Sequence, residues 1–293
     1  MHEEVVERVW PGRKVRVSVL GGGITNHNLK VELDDGETFV LRIAGSDTEL
    51  LGIDRRVEYE ASLAAAAVGV GPEVVAYVEP EGYLATRFIE GEIVSVERMR
   101  EPDTIRRVAA ALRAIHKGPP LPGRFDAFRV VEEYRSTAFA RGAAVPGEYV
   151  GARQTARAIE RARGPVPERP CHNDLLNANF IDDGTRIRIV DWEYAGMGDV
   201  FFDLANFAVN HDLGEEARVQ LLDAYFGELR PADARALELM RFMSLFREAM
   251  WGVVQTAISG LDFDFQAYAE EHFARAAALA TEPAFESALS GRP

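Results

Sequence analysis

Four polar residues, His172, Asp174, Asn179 and Asp191, lie within twenty positions of one another and are of types that suit one reaction. Moving a phosphoryl group asks little covalent chemistry of a protein. It asks for a carboxylate that orients the attacking hydroxyl and accepts its proton, and for hard oxygen ligands that hold Mg²⁺ against the phosphates. Asp174 suits the first task. Asn179 and Asp191 suit the second, because Mg²⁺ takes a few protein oxygens and completes its shell with water and phosphate. Taken singly, each of these residues would pass as a turn former. Together they fall in CHNDLLNANF (171–180), after a run with three prolines (164–170) and before IRIVDWEY (187–194), and turn chemistry alone does not account for that grouping. His172 reads as a structural residue that bonds the backbone of the metal site. Cys171 is its neighbour, but adjacent side chains on an extended loop point apart, so a Cys–His nucleophile is rejected.

A second set of candidates lies near the N-terminus. GGGITN (21–26) separates two alternating segments, and Gly22, Gly23, Thr25 and Asn26 offer backbone and side-chain groups that approach phosphates closely. A plain hairpin turn is the competing reading. The pattern is not the G-x-x-x-x-G-K-[ST] of a Walker loop. Arg42 follows in TFVLRI, where its fork suits a phosphate. An exposed strand cation is the alternative, weakened by the apolar neighbours Phe39, Val40, Leu41 and Ile43. Glu60, on the next helix, is expected to pair with Arg42 and fix its direction.

Elements that could hold these residues follow from periodicity. Alternating segments at 15–20, 28–33 and 38–43, broken by a Gly-rich turn and by Asp34-Asp35-Gly36, describe an antiparallel meander. An Ala-rich helix is expected at 54–68, then strands at 74–78 and 83–88 around a turn at 80–82, then a connector at 89–91. Beyond it the period becomes helical, with helices at 103–115 (Asp103 as N-cap), 126–141 and 148–163. After the polar loop a short strand at 187–190 precedes helices at 204–209, 215–226, 232–255 and 265–280. The fold class is therefore α+β: a small β-sheet N-lobe with one helix (1–90, nucleotide-binding) and a larger, mainly helical C-lobe (91–293, catalytic loop and acceptor site). A cleft between two such lobes is a common ligand site.

Bulk properties narrow the partners. The 293 residues, 47% hydrophobic and 27% charged, suit a globular chain too long for one small core. The net charge of −14 disfavours nucleic acid and anionic membranes, and mildly favours a cationic substrate. A solubilising acidic surface is the blander reading of the same charge. A single cysteine rules out an internal disulfide and a Cys-based zinc cluster. The acidic start MHEEVVERVW lacks the features of a signal peptide, and the longest apolar stretch, 63–70, is far short of the ~20 residues of a membrane span, so a cytoplasmic protein is expected.

The spacing H-x-D-x-x-x-x-N, with an Asp twelve residues on, resembles the catalytic loop and metal-binding Asp of the protein-kinase-like superfamily. Over nearly its whole length the chain resembles the choline/ethanolamine kinase branch of the aminoglycoside phosphotransferase and choline kinase superfamily. GGGITNHNLKV, CHNDLLNANFI, VDWEYAGMGDVFFDLANF and MWGVVQTAISGLDFDFQAYA carry the resemblance. It implies ATP and Mg²⁺ as cofactors, a protein-kinase-like two-lobed fold, Asp174 as catalytic base, and Asn179 and Asp191 as metal ligands. It further implies phosphate contact by Arg42 with Glu60 as its partner, adenine contacts from the connector with Phe88 and Ile89, and loop bracing by Asp199 and Asp203. Glu193, Tyr194 and Trp251 would lie at the acceptor, a small cationic alcohol such as choline or ethanolamine. One departure is notable. The family often shows W-G-x-W, two aromatics facing a quaternary ammonium, whereas this chain has Trp251-Gly252-Val253-Val254. A cation over one ring gains about 0.5–2 kcal/mol, so a missing wall weakens choline or shifts the preferred amino alcohol. Trp251 also falls at helical spacing with Met250, Val254 and Ile258, which is the pattern of plain core. Thiamine and aminoglycoside kinases remain alternatives within the class. A catalytically silent nucleotide-binding regulator is the alternative outside it, and would have lost Asp174, Asn179, Asp191 or Arg42.

Overall fold

The computed structural model describes residues 2–21, 26–45 and 47–291. Gly22, Gly23 and Thr25 lie outside the described residues. The chain opens with helix α1 (His2–Val9), followed by strands β1 (Val15–Leu20), β2 (Asn26–Leu33) and β3 (Thr38–Ala44). Helix α2 (Arg55–Ala67) comes next, then β4 (Val74–Val78) and β5 (Tyr83–Arg87). Among the described residues these strands form one antiparallel sheet in the order β1-β2-β3-β5-β4. Alternation sets its inner face: Leu29, Val31 and Leu33 on β2, and Phe39, Leu41 and Ile43 on β3. α1 covers that face with Val5 and Val6, and Trp10 packs on Phe39 with ring centroids 5.2 Å apart. The sequence reading missed α1, whose two buried valines are too few to give a period. α2 begins where expected, because the Asp54 carboxylate accepts from the N–H groups of Arg56 and Val57. Its alanines, Ala61, Ala64 and Ala65, join the larger core and not the sheet core.

The connector is held to the rest of the chain at close range. Strand β6 (Glu92–Ile93) follows Gly91, and a Cβ on Gly91 would sit 2.5 Å from the Asp182 carbonyl oxygen. Helices α3 (Pro102–His116), α4 (Ala127–Ala140) and α5 (Glu148–Arg163) come next. α3 starts one residue before the expected Asp103, since Pro102 fits the first helical position, where no N–H is needed. Short strands β7 (Arg169–Cys171), β8 (Phe180–Asp182), β9 (Ile187–Ile189) and β10 (Gly196–Gly198) frame the polar loop. β6-β8-β9 and β10-β7 form small antiparallel ladders. Of these strands only β9 was expected, because three-residue strands carry almost no alternation. Helices α6 (Val200–Asn210), α7 (Glu215–Phe226), α8 (Pro231–Ile258), α9 (Phe265–Ala280) and α10 (Pro283–Ser290) complete the chain. α8 is the axis of the larger core: α4, α6, α9 and α10 pack around it, and Met240, Met243, Phe246, Met250 and Val254 are buried along it. No described helix is long and apolar enough to cross a membrane.

Behind the polar loop, His211 ends α6 fully buried between Phe207 and Phe180. Burial pushes its imidazole pKa down to about 4. Because the folded value lies below the unfolded one, the unfolded chain takes up the proton first, and stability is lost as pH falls from about 6.5 toward 4. The shift is worth up to about 3 kcal/mol. Urea denaturation across this range is expected to show that loss in the parent and a correspondingly flatter profile in His211→Leu. Parallel profiles would refute it.

Candidate active site

The polar loop is shaped by a single buried carboxylate. Asp203, on the first turns of α6, accepts from the backbone N–H of His172 (2.8 Å) and of Asn173 (2.7 Å). It also takes the His116 ring at 2.9 Å, and His116 in turn meets the Tyr225 hydroxyl at 2.7 Å. Burial opposes the charge of Asp203, but His116, His172 and the backbone donor outweigh it and hold the carboxyl below its ordinary value. Asn173 sits in the left-handed region at φ 68°. Its side chain donates to the Tyr194 carbonyl, and the Leu175 N–H donates to Asn206 on α6. Asp199 caps α6 by accepting from the Phe201 N–H, and is ion-paired with Arg163.

His172 links the two halves of the loop. Its Nε2 lies 2.9 Å from the Val190 carbonyl, and its Nδ1 accepts from the Asp174 N–H at 3.2 Å. The first contact needs a donor and the second an acceptor, so the ring is the neutral Nε2–H form. Burial pushes its pKa down, in keeping with that state. Trp192 packs edge-on against the ring. Asn179 donates from Nδ2 to the Asp174 carbonyl (2.9 Å), which leaves Oδ1 as its acceptor end. Asp191 follows β9 at φ 69°, a conformation disfavoured for residues other than glycine. That backbone places its carboxylate 2.6 Å from Arg42.

Arg42 does not pair with Glu60. Its Nη1 lies 2.6 Å from Glu58 and 2.6 Å from Asp191. Glu60 is half-buried and pairs with Arg56 along the helix. Two residues on a helix differ by about 200° of rotation, so when Glu58 faces the sheet Glu60 must face away. Arg55, which the sequence reading passed over, bonds Glu58 (2.7 Å), Glu193 (3.2 Å) and Thr48 (3.0 Å). Asn26 donates to the same Glu193 oxygen at 2.8 Å. A chain of alternating charge thus runs Asp191–Arg42–Glu58–Arg55–Glu193, tying β3 and α2 to the segment after β9.

A cavity of about 300 Å³ opens beside Arg42 and Asp191. Leu20, Val40, Leu84, Phe88, Ile89 and Ile181 wall it. The Phe88 N–H is taken by the Thr38 carbonyl (2.9 Å), so that amide is already spent within the sheet.

Asp174 faces the other way, toward α8. Arg247 Nη1 lies 3.2 Å from its Oδ1 and 2.5 Å from Glu248. Burial, together with Glu248, Asp191 and Glu193, pushes the Asp174 carboxyl up to about 7 against the pull of Arg247. The Arg247 guanidinium lies over the Tyr194 ring, 4.4 Å from its centroid. Trp251, one turn further on, donates from Nε1 to the Tyr194 hydroxyl at 3.0 Å. Val254 is fully buried, so it is core and not the stand-in for a second wall. Aromatic neighbours of Trp251 come instead from α9 and its approach: Phe265 and Tyr268 pack edge-on to it at 5.8 and 5.7 Å. Arg247 and Glu248 were also missed. Their signal was an adjacent ion pair inside the otherwise apolar run FMSLFREAMWGVV.

A small antiparallel sheet over a helical body, with an Asp, an Asn and a second Asp on the loops between them, defines a protein of the kinase-like phosphotransferase class. Residues 16–239 match the phosphotransferase enzyme family (APH), and the chain belongs to that family. Ethanolamine kinase 2 of Rattus norvegicus is 29% identical over 90% of this chain and 76% of its own length. Protein LicA of Haemophilus influenzae is 28% identical over 70% of this chain and 61% of its own. Among solved structures, a choline/ethanolamine kinase family protein from Mesorhizobium loti superposes with a TM-score of 0.84 at 31% identity, covering 99% of this chain and 98% of that one.

Glu58, not Glu60, is the residue whose loss should free Arg42. Glu58→Gln is expected to lower kcat/KM for the nucleotide by about 10–100-fold through a misplaced cation. Glu60→Gln should stay within about twofold, as for a surface pair. Equal effects in steady-state assays would overturn the pairing.

Proposed function

We propose that the protein transfers the γ-phosphoryl group of ATP to the hydroxyl of a small amino alcohol, choline or ethanolamine. What supports this reading is that His172 ties the loop of Asp174 to the segment of Asp191, which with Arg42 borders a cavity of about 300 Å³, while the Asp174 carboxylate meets Arg247 one turn before Trp251 on α8. In this reading residues 1–90 hold the nucleotide and 91–293 supply the loop and the acceptor site. A silent nucleotide-binding protein fits poorly, because Asp174, Asn179, Asp191 and Arg42 are all present and the fold gathers them.

The donor set suits Mg²⁺. Glu58, Asp174, Asp191, Glu193 and Glu248 meet Arg42, Arg55 and Arg247, so five carboxylates face three guanidiniums and two negative charges remain. Asn179 Oδ1 and the Asp191 carboxylate are the hard oxygens that would hold the ion. When bound, Mg²⁺ supplies positive charge to the phosphate oxygens. The remaining work belongs to the chain's own residues. The apolar walls of the cavity take the adenine, and Arg42 faces the phosphates. Asp174 accepts the proton of the acceptor hydroxyl as its oxygen attacks the γ-phosphorus and ADP leaves. A carboxyl raised to about 7 by burial and neighbouring carboxylates is a stronger base than an ordinary one. Tyr194 and Trp251, joined by the Nε1–hydroxyl bond, border the ammonium group in this reading, and the excess negative charge attracts it. ATP as the donor also suits a cytoplasmic setting.

A coupled ADP-release assay against choline, ethanolamine, thiamine and aminoglycosides tests the acceptor. Turnover with choline or ethanolamine is expected; turnover confined to the other two would reject the amino alcohol and leave the kinase reading standing. Asp174→Ala is expected to lower kcat by about 100-fold or more. A variant as active as the parent would remove Asp174 from the chemistry.

A further inference from the structure

Arg247 is an expensive residue for a core. Its side chain is 1% exposed, and its Nε and Nη2 are buried without hydrogen-bond partners. The Tyr134 hydroxyl donates to the Leu51 carbonyl. A guanidinium buried this deeply is poorer for stability than an apolar side chain of similar volume. Its value must then lie in what it holds.

What it holds is the carboxylate of Asp174. Every other contact of Arg247 fixes the guanidinium itself. Glu248 takes Nη1 at 2.5 Å, and the second Glu248 oxygen accepts from the Tyr268 hydroxyl at 2.9 Å. The Tyr194 ring supports the flat face, and the Trp251 indole anchors the Tyr194 hydroxyl. The backbone is the middle of the 28-residue helix α8. Nη1 is therefore presented to Asp174 Oδ1 from a rigid mount. We infer that Arg247 is a positioning residue: it occupies one oxygen of Asp174 and so turns the other toward the acceptor hydroxyl. This rests on Asp174 being the base. Arg247 is not among the residues that line the cavity beside Arg42 and Asp191. Its removal should therefore act on turnover and spare nucleotide binding.

The test is steady-state kinetics on three folded variants, each checked by circular dichroism. Arg247→Met keeps the volume and removes the contact. Arg247→Met with Glu248→Gln does the same without stranding a buried carboxylate, and serves if the single variant fails to fold. Arg247→Lys restores a donor. Loss of kcat by about 10–100-fold in the Met variants, with KM for ATP within about twofold, is expected for a base that has lost its alignment. Lysine should recover at least about a tenth of the parent rate. A merely structural role would leave kcat of the folded double variant within about threefold of the parent, or would change kcat and KM for ATP alike, and either result overturns the inference. If Asp174→Ala is itself active, the base assignment fails. If Asp174→Ala is inactive and the Met variants turn over normally, the role of Arg247 alone fails.

Discussion

Carboxylates crowd a cleft from which water is largely excluded, and the rest of the structure answers that crowding. Glu58, Glu193 and Glu248 are buried, and Asp174 and Asp191 are half-buried. Like charges at such range repel by several kcal/mol at the dielectric of a protein interior. Each of three guanidiniums therefore bridges two of them. Arg42 joins Glu58 to Asp191, Arg55 joins Glu58 to Glu193, and Arg247 joins Asp174 to Glu248. The partners come from β3, α2, the loop after β9 and α8, so the same ion pairs that offset repulsion also fix the sheet against the helical body. With all five carboxylates ionised, three guanidiniums leave the pairs two positive charges short.

Fixing the charges also requires fixing the backbone that carries them. Asn173 and Asp191 both occupy the left-handed region, each at a cost. Asp203 offsets that cost at the first by accepting two consecutive N–H groups, and His172 ties the two segments by bonding on both sides of its ring. The motif is thus divided by task. The carboxylates of Asp174 and Asp191 are half-buried and meet Arg247 and Arg42, while His172, Asn173 and Asp203 are fully buried and hold the shape.

Much of this was legible in the sequence where residue type and spacing act locally. The Ala-rich helix with its Asp54 cap, the alternating strands and the loop motif each carry their own signal within a few positions. What stayed hidden depends on orientation and long-range contact. Glu58 and Glu60 are equivalent in composition, and only the rotation of α2 decides between them. Val254 reads as a missing aromatic wall by position in a motif, but it faces the core, and the rings near Trp251 belong to α9. Arg55 looks like an ordinary surface cation until the fold brings it against Glu58 and Glu193. β7 and β10 exist because segments 25 or more residues apart pair, and no local pattern announces them.

The placement of Arg247 and Trp251 on one turn of α8 constrains how this site could change its acceptor. The turn that carries Trp251, the ring proposed for the acceptor, also carries the partner of Asp174. A shift of the helix that widened the pocket would carry Nη1 away from Asp174 at the same time. New acceptors are accommodated more readily by α9 side chains such as Phe265, which touches Trp251 and takes no part in the mount of Arg247. Reaction and specificity are therefore unequally constrained: the loop and α8 must stay registered for phosphoryl transfer, while the segment leading into α9, with Phe263 half-exposed at its tip, is open to change.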